Sequence, residues 1–362
     1  QMISGLLRTP LYPCHVATKA RMVPFAGWEM PQQYHSVKEE QLAVRGGVGL
    51  FDISHMGRLL VRGDGAGEYL QRMTTNDLTR IGEGKAQYTL LCNLDGGIID
   101  DLLVYKGQPW RVVVNGATRE KDLDWLRSRL PSAVEISDVT EETALLALQG
   151  PGAARLLTTL GVDVKELVSF GFSDFALAGT SVLISRTGYT GEDGFEIWLG
   201  ASKAVEIWQL LVEAGAVLCG LACRDICRLE AGLRLYGSDM SEQTNPFEVG
   251  LGWTVKLNQS EDFCGRLALL EANRLPPRHL IGIQGVDKLI PRAGERLSRG
   301  GEVVGKVTSG TFSFSLNKGI GMAMIDEQMI GPEKRLELES HGRPGYCQIV
   351  ELPHLSRRRP NR

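Results

Sequence analysis

The chain has 362 residues, 43% of them apolar and 23% charged, with a formal net charge of −3. That is the balance of an ordinary soluble globular protein, with room for two or three domains of roughly 100–200 residues each. It excludes the basic excess expected of a nucleic-acid binder. No run of about 18 apolar residues is present, which excludes a membrane-spanning helix.

The opening stretch QMISGLLRTPLY lacks the basic-then-apolar plan of a secretory signal. The seven cysteines are odd in number, scattered, and form no C-x-x-C pair. Reduced thiols in the cytoplasm are the expectation, with a mitochondrial matrix after removal of a transit peptide as the alternative. Cys219, Cys223 and Cys227 are spaced to share one face of a helix. No histidine lies beside them, so small buried apolar side chains are expected there and no metal site.

In chain order, residues 36–46 and 66–73 are expected as helices, and 58–62, 86–92, 99–105 and 110–115 as strands. GDGAGEY (63–69) has closely set glycines but no G-x-G-x-x-G after a βαβ start, so it reads as a turn into a helix. TREKDLDWLRSRL (118–130) carries Leu123, Leu126 and Leu130 at helical spacing, with Thr118 as N-cap. TALLALQGP (143–151) reads as a buried strand stopped by Gly150-Pro151. Helices are expected at 152–160 and 203–214, and a longer one over 221–235. NRLPPRH (273–279) is a proline-broken connection, and a domain boundary is expected near 260–278. Beyond it, short strands with Gly-rich turns predict a small antiparallel barrel or sandwich. The whole lacks the regular βαβ rhythm of a doubly wound sheet.

No G-x-S-x-G, Walker loop or H-E-x-x-H occurs. His35 and His55 stand alone and are expected to be structural. Three places instead hold polar groups where plain elements are expected. In NLDGGIIDDLLVY (93–105), Asp100-Asp101 interrupts an apolar strand, although aspartate is depleted in strands. Alternation groups Asp100 with Leu102 and Val104, and Asp101 with Leu103 and Tyr105, without choosing which enters a cleft. The bland alternative is a strand end facing water.

SRTGYTGEDGFEIW (185–198) holds three glycines and three carboxylates between two strands, far more than a two-residue hairpin needs. Glu196 shares a strand face with Trp198. Either that face is exposed, or the carboxylate meets a ligand beside a turn flexible enough to let backbone approach. Arg224 and Arg228 are one helical turn apart. They either pair with Asp225 and Glu230 or form a fork for a ligand carboxylate. Together the three places suit a flat heterocycle with donors for Glu196, a carboxylate tail for an arginine, and a reacting nitrogen for Asp101. A folate has all three.

FAGWEMPQQY (25–34), GLFDISHMG (49–57), QYTLLCNLDGGIIDDLLVY (87–105), LALQGP (146–151), SRTGYTGEDGFEIW, CRDICRLEAGLRLYGSDM (223–240), TNPFEVGLGWTVKL (244–257) and GKVTSGTFSFSLNKGIGMA (305–323) resemble the aminomethyltransferase (T-protein) family of the glycine cleavage system. The resemblance runs almost end to end. It implies an α+β, three-domain clover-leaf around a central folate channel, with a small C-terminal antiparallel β-barrel. The implied domains are 1–57 with 140–260 as a discontinuous folate-binding domain, 58–139 as an inserted α+β domain, and 275–362 as the barrel. The implied reaction passes the aminomethyl group on the lipoyl arm of H-protein to tetrahydrofolate. Its products are methylenetetrahydrofolate, ammonia and reduced lipoyl H-protein.

By position, Asp101 matches the family's essential carboxylate. Glu196 matches the glutamate on the pteridine, and Arg224 the arginine on the glutamate tail. Met56, Tyr88, Asn115 and Tyr189 match channel residues around the folate. Two departures stand out. Pro353-His354-Leu355 replaces a Pro-Phe ending, leaving the arginines at 357–359 and 362 without an assigned role. Cys264 and Arg266 replace more usual residues. A related folate enzyme, such as a demethylase or the folate part of an amine dehydrogenase, is the first alternative. A non-enzymatic folate-binding relative is the second, but such relatives carry a cysteine motif where this chain has GYTGEDGFE.

Overall fold

The computed structural model describes residues 5–273, 276–331, 334–340 and 343–356. The Asp-Gly-Gly turn at 95–97 returns the chain as strand Ile98–Lys106. That strand lies second in a five-stranded antiparallel sheet. The order is Lys85–Cys92, Ile98–Lys106, Trp110–Val114, Gly57–Gly63, Val134–Asp138. Helices Ala66–Met73 and Arg119–Arg127 cover one face, where Tyr69, Leu70, Leu123 and Leu126 pack on Leu59, Val61, Val104 and Val112. Helices this short owe their stability to such burial, about 1.5–3 kcal/mol per large apolar side chain.

A second sheet has six strands in the order Phe172–Leu177, Thr180–Ser185, Gly194–Gly200, Thr143–Gln149, Gly49–Asp52, Val217–Leu218. Its pairs are antiparallel except the last, where Val217–Leu218 runs parallel to Gly49–Leu50. Alternation along Gly194–Gly200 sends Phe195, Ile197 and Leu199 under helices Ala153–Thr159 and Ala204–Glu213. Trp198 points the other way. There it meets Tyr105 and Val113 of the first sheet and Cys223 and Cys227 of helix Leu221–Glu230. The face that Glu196 shares with Trp198 is therefore an interior seam between two sheets, not a solvent-facing one.

The C-terminal strands close into a six-stranded antiparallel barrel. It runs Arg278–Gly285, Lys318–Asp326, Glu302–Ser313, Arg296–Arg299, Arg335–Ser340, Arg343–Val350 and back. Its interior holds Ile283, Leu297, Val307, Ala323, Leu336 and Cys347. Helix Arg266–Ala272 lies in the connection before it, anchored by fully buried Leu269.

Three local expectations change. The helix expected to reach 235 ends at Glu230. Gly232 takes φ of +68°, and the Gly232 and Leu233 amides donate to the carbonyls of Leu229 and Arg228. This is the closed C-terminal turn that glycine favours. Thr118 is the N-cap residue of helix Arg119–Arg127 as expected, but its side chain makes no capping bond; its hydroxyl donates to Asp100. Cys219 lies before helix Leu221–Glu230, whose N-cap is Gly220, so the three cysteines do not share one helix. All three are buried free thiols. Burial holds the Cys223 thiol well above its ordinary value.

Candidate active site

A cavity of about 1580 Å³ lies between the sheets, helix Leu221–Glu230 and the barrel. Met56, Tyr88, Asp101, Asn115, Tyr189, Glu196 and Arg224 all line it. Strands of the two sheets carry Tyr88, Asp101 and Glu196, helix Leu221–Glu230 carries Arg224, and the connecting segments carry Met56, Asn115 and Tyr189, although up to 168 positions separate them in sequence.

The strand alternation at 100–101 separates two aspartates with different jobs. Asp100 is fully buried. It accepts from Asn115 N at 3.1 Å, Asn115 Nδ2 at 2.8 Å and Thr118 Oγ1 at 2.8 Å. Asp101 is half-buried and lines the cavity. The Tyr88 hydroxyl donates to its Oδ2 at 2.9 Å, and Asn115 Nδ2 to its Oδ1 at 2.8 Å. Burial, and then the Asp100 charge, push the Asp101 carboxyl up to about 7. It can therefore hold or release a proton near neutrality, where general acid–base groups are effective. Burial and the neighbouring Asp101 charge raise the Tyr88 phenol well above its ordinary value, so Tyr88 remains the donor. Tyr88 also stacks on Trp253, ring centroids 5.9 Å apart, and Trp253 lines the same cavity.

The long segment at 185–198 sorts its three carboxylates. Asp193 is held by Arg186 through two bonds of 2.8 and 2.6 Å. Glu192 pairs with Arg45 at 3.0 Å. Glu196 faces the cavity. Its Oε2 accepts from Thr187 Oγ1 at 2.6 Å, while Oε1 takes no hydrogen bond from a described residue. Burial raises the Glu196 carboxyl, against the opposing pull of Thr187 and the Arg224 charge.

The glycines of this segment have a different cause from the one expected. A Cβ on Gly188 would stand 2.0 Å from Gln149 Oε1, and one on Gly194 2.7 Å from Gln149 Cδ. Gln149 lies beneath the turn, donating to the Thr187 carbonyl at 3.1 Å and accepting from Thr190 Oγ1 at 2.8 Å. Gly188 and Gly194 thus make room for Gln149 rather than for a ligand, while Gly191, at φ +81°, lies against Ala231. Tyr189 follows them into the cavity wall, its hydroxyl donating to the Arg234 carbonyl.

The two arginines one turn apart do not form a fork. Arg228 is 2% exposed and fully engaged. It bonds Asp239 at 2.7 Å, Asp225 at 2.8 Å and Ser309 Oγ at 2.8 Å. Glu230 pairs with Arg45, not with either helix arginine. Arg224 makes no ion pair with a described residue, and its guanidinium lies 4.8 Å from the Tyr189 ring centroid. It is a cation held ready at the cavity wall.

His55, expected to be structural, is 3% exposed, lines the cavity, and leaves Nδ1 without a partner among the described residues. Burial, and then the Arg224 charge, push it down to about 3, so its ring is neutral. His35 is exposed. His354 turns to the barrel, donating to the Gly321 carbonyl at 3.0 Å. Pro353 and Ser356 reach the cavity. The arginines at 357–359 and 362 lie outside the described residues. Sequence reasoning missed Trp253, Thr187 and Gln149. The tryptophan in GLGWTVKL was a usable signal; the other two depend on contacts between distant positions.

Residues 11–259 match the family description "GCVT N-terminal domain", and residues 278–355 match "Glycine cleavage T-protein C-terminal barrel domain". The aminomethyltransferase of Geobacillus thermodenitrificans is 44% identical over 361 residues, covering 97% of this chain and 99% of the relative. That of Thermotoga maritima is 47% identical over 330 residues, covering 89% and 90%. The crystal structure of the glycine cleavage system aminomethyltransferase T from Bartonella henselae superposes with a TM-score of 0.91 at 33% identity, covering 98% of this chain and 99% of that one. With both family descriptions matched along most of its length, this chain belongs to the glycine cleavage aminomethyltransferases.

Proposed function

We propose that this enzyme transfers the one-carbon unit of an aminomethyl group, carried on the lipoyl arm of H-protein, to tetrahydrofolate as co-substrate. The products are methylenetetrahydrofolate, ammonia and dihydrolipoyl H-protein. The observation that carries this reading is the Asp101 carboxyl at the cavity wall, raised to about 7 and held between Tyr88 and Asn115. The donor set also fits a folate. Among the described residues Glu196 has one carboxylate oxygen without a partner, which it offers to a donor on a flat ring, and Arg224 has no ion pair and offers its cation to a carboxylate tail. Met56, Tyr88, Asn115 and Tyr189 would complete the wall around the ring and its linker.

Tetrahydrofolate supplies the nucleophilic nitrogen. In this reading Asp101 steadies the electron-poor methylene carbon as ammonia leaves, and accepts the proton that the attacking nitrogen sheds. Tyr88 and Asn115 fix the direction of both carboxylate oxygens. Discontinuous segments 1–57 and 140–260 would hold the folate, 58–139 would carry Asp101, and 275–362 would close the channel. A cytoplasmic location suits the free thiols.

The direct test is ammonia release from aminomethylated H-protein, with and without tetrahydrofolate. Release that depends on tetrahydrofolate and yields methylenetetrahydrofolate supports the reading. No release, or the same release without folate, removes it.

A further inference from the structure

Behind Asp101 lies a third carboxyl. Asp122 stands in the first turn of helix Arg119–Arg127 and is fully buried. Neither of its oxygens has a donor among the described residues. Its carboxyl nonetheless lies against Asp100 and beside the Thr118 hydroxyl. The Thr118 hydroxyl is already spent as a donor to Asp100, at 2.8 Å. Asp100 takes that bond and two more from Asn115, so it acts throughout as an acceptor. The hydrogen between the two carboxyls must then come from Asp122. Two carboxylates in buried contact cannot both stay ionised.

The nearby charged and titratable groups leave this need unmet. Lys121 Nζ is turned to the Ile99 carbonyl at 2.8 Å, to the Tyr236 hydroxyl at 2.8 Å and to Glu242 at 3.0 Å. Tyr236 donates to the Ile98 carbonyl. On the far side of Asp100 stand Asn115, Asp101 and Tyr88, already bonded to one another.

We propose that Asp122 is a positioning residue for the cavity carboxyl: a neutral acid whose O–H donates to Asp100, holding the Asp100 carboxyl in place and Asn115 turned toward both aspartates. The link is continuous. Asn115 Nδ2 is 2.8 Å from Asp100 Oδ1 and 2.8 Å from Asp101 Oδ1, so whatever fixes Asp100 also fixes the donor on Asp101. No proton is transferred and no covalent bond changes. Burial, and then the Asp100 charge, push the Asp122 carboxyl up to about 11, in the same sense as the geometry. The effect on turnover rests on the reading of Asp101 as the working carboxyl; the protonation of Asp122 does not.

Two variants of the full chain and two readouts test this. Asp122→Asn keeps a donor for Asp100, and Asp122→Leu removes it while keeping a branched side chain. Infrared difference spectra at about pH 9, above the Asp101 value of about 7, should show a carboxylic-acid carbonyl band in the wild type that is missing from Asp122→Asn. In the pH profile of kcat, Asp122→Asn should leave the acid limb in place. Asp122→Leu should move it up by about one unit, because Asp100 and Asn115 are then no longer held and the Asn115 bond that lowers Asp101 is loosened. The proposal is overturned by a wild type without that band, by a band that survives in Asp122→Asn, or by an acid limb that moves equally in both variants or in neither. Should Asp122→Leu fail to fold, the infrared comparison decides alone. Failure of the Asp101 reading would register separately, as wild-type turnover in Asp101→Asn with the infrared result unchanged.

Discussion

The Tyr88 hydroxyl stands 2.9 Å from Asp101 Oδ2 and donates to it, and this bond is one of the forces that hold the carboxyl down against burial. Removing it has a signed consequence. A hydrogen bond to a charged group is worth about 1.5–3 kcal/mol, or roughly one to two pKa units. Tyr88→Phe should therefore raise the Asp101 carboxyl further above its value of about 7. Turnover at neutral pH should fall and be partly regained in alkali. A kcat profile whose acid limb does not move would show that Tyr88 holds Asp101 in place without setting its proton affinity.

The adjacent aspartates should part company under the same substitution. Asp101→Asn should lose about 10²–10⁴-fold in turnover while folate binding, measured by calorimetry, stays within about tenfold. Asp100→Asn should retain turnover, lower the acid limb by removing the charge that raises Asp101, and cost thermal stability through its three donors. Stability follows with a definite sign. The Asp101 carboxyl is raised in the folded state, so its contribution is full below the ordinary carboxylate range and is lost as pH rises toward about 7. Relative to wild type, Asp101→Asn should gain stability over that window. If Asp100→Asn is the inactive enzyme, the strand register assigned to the site is wrong.

Strand 98–106 was legible because Asp-Gly-Gly and an apolar run speak locally, and so was the barrel, whose short strands are set apart by glycine turns. What the sequence could not show lies in contacts between distant positions. Arg224 and Arg228 look alike on one helix. They differ because Asp239 and Ser309 meet only the second. The glycines at 188 and 194 suggest approach to a ligand until Gln149 is seen beneath them. Asp122 looks like an acidic residue at a helix N-terminus, a favourable and ordinary place, until helix and sheet together bury it against Asp100. The early end at Glu230 was signalled by Gly232, but the apolar Leu233 and Leu235 continue a helical pattern that hides it.

Glu196 offers a test of the ring end of the cavity. A charge-assisted bond accepted by its Oε1, which takes none from a described residue, should contribute about 1.5–3 kcal/mol to ligand binding, so Glu196→Ala should weaken tetrahydrofolate binding about ten- to 150-fold. Because burial raises this carboxyl, wild-type affinity should also fall as acid protonates it, and the variant should lose that dependence. Equal affinities for wild type and variant in a calorimetric titration would remove Glu196 from the site.

Arg224 and Arg228 should fail in different ways. Arg224 has no ion pair with a described residue and rests on the Tyr189 ring, so Arg224→Ala should leave thermal stability nearly unchanged. If it holds the glutamate tail, the variant should bind tetrahydrofolate less well while binding of a tail-less pteridine is spared. Arg224→Lys should restore only part of the loss, since lysine lacks the planar fork. Arg228 instead neutralises Asp239, whose side chain is completely buried. Removing one partner of a buried pair leaves the other charge uncompensated, at a cost of about 3–5 kcal/mol. Asp239 also accepts from Thr308 and Ser309 of the barrel at 2.6 and 2.7 Å, so the loss should loosen the barrel's hold on helix Leu221–Glu230. Arg228→Ala should therefore lower the midpoint of urea unfolding sharply, and Arg228→Ala with Asp239→Ala should recover part of the loss. If Arg228→Ala proves as stable as wild type but fails to bind folate, the two arginines have been assigned the wrong way round.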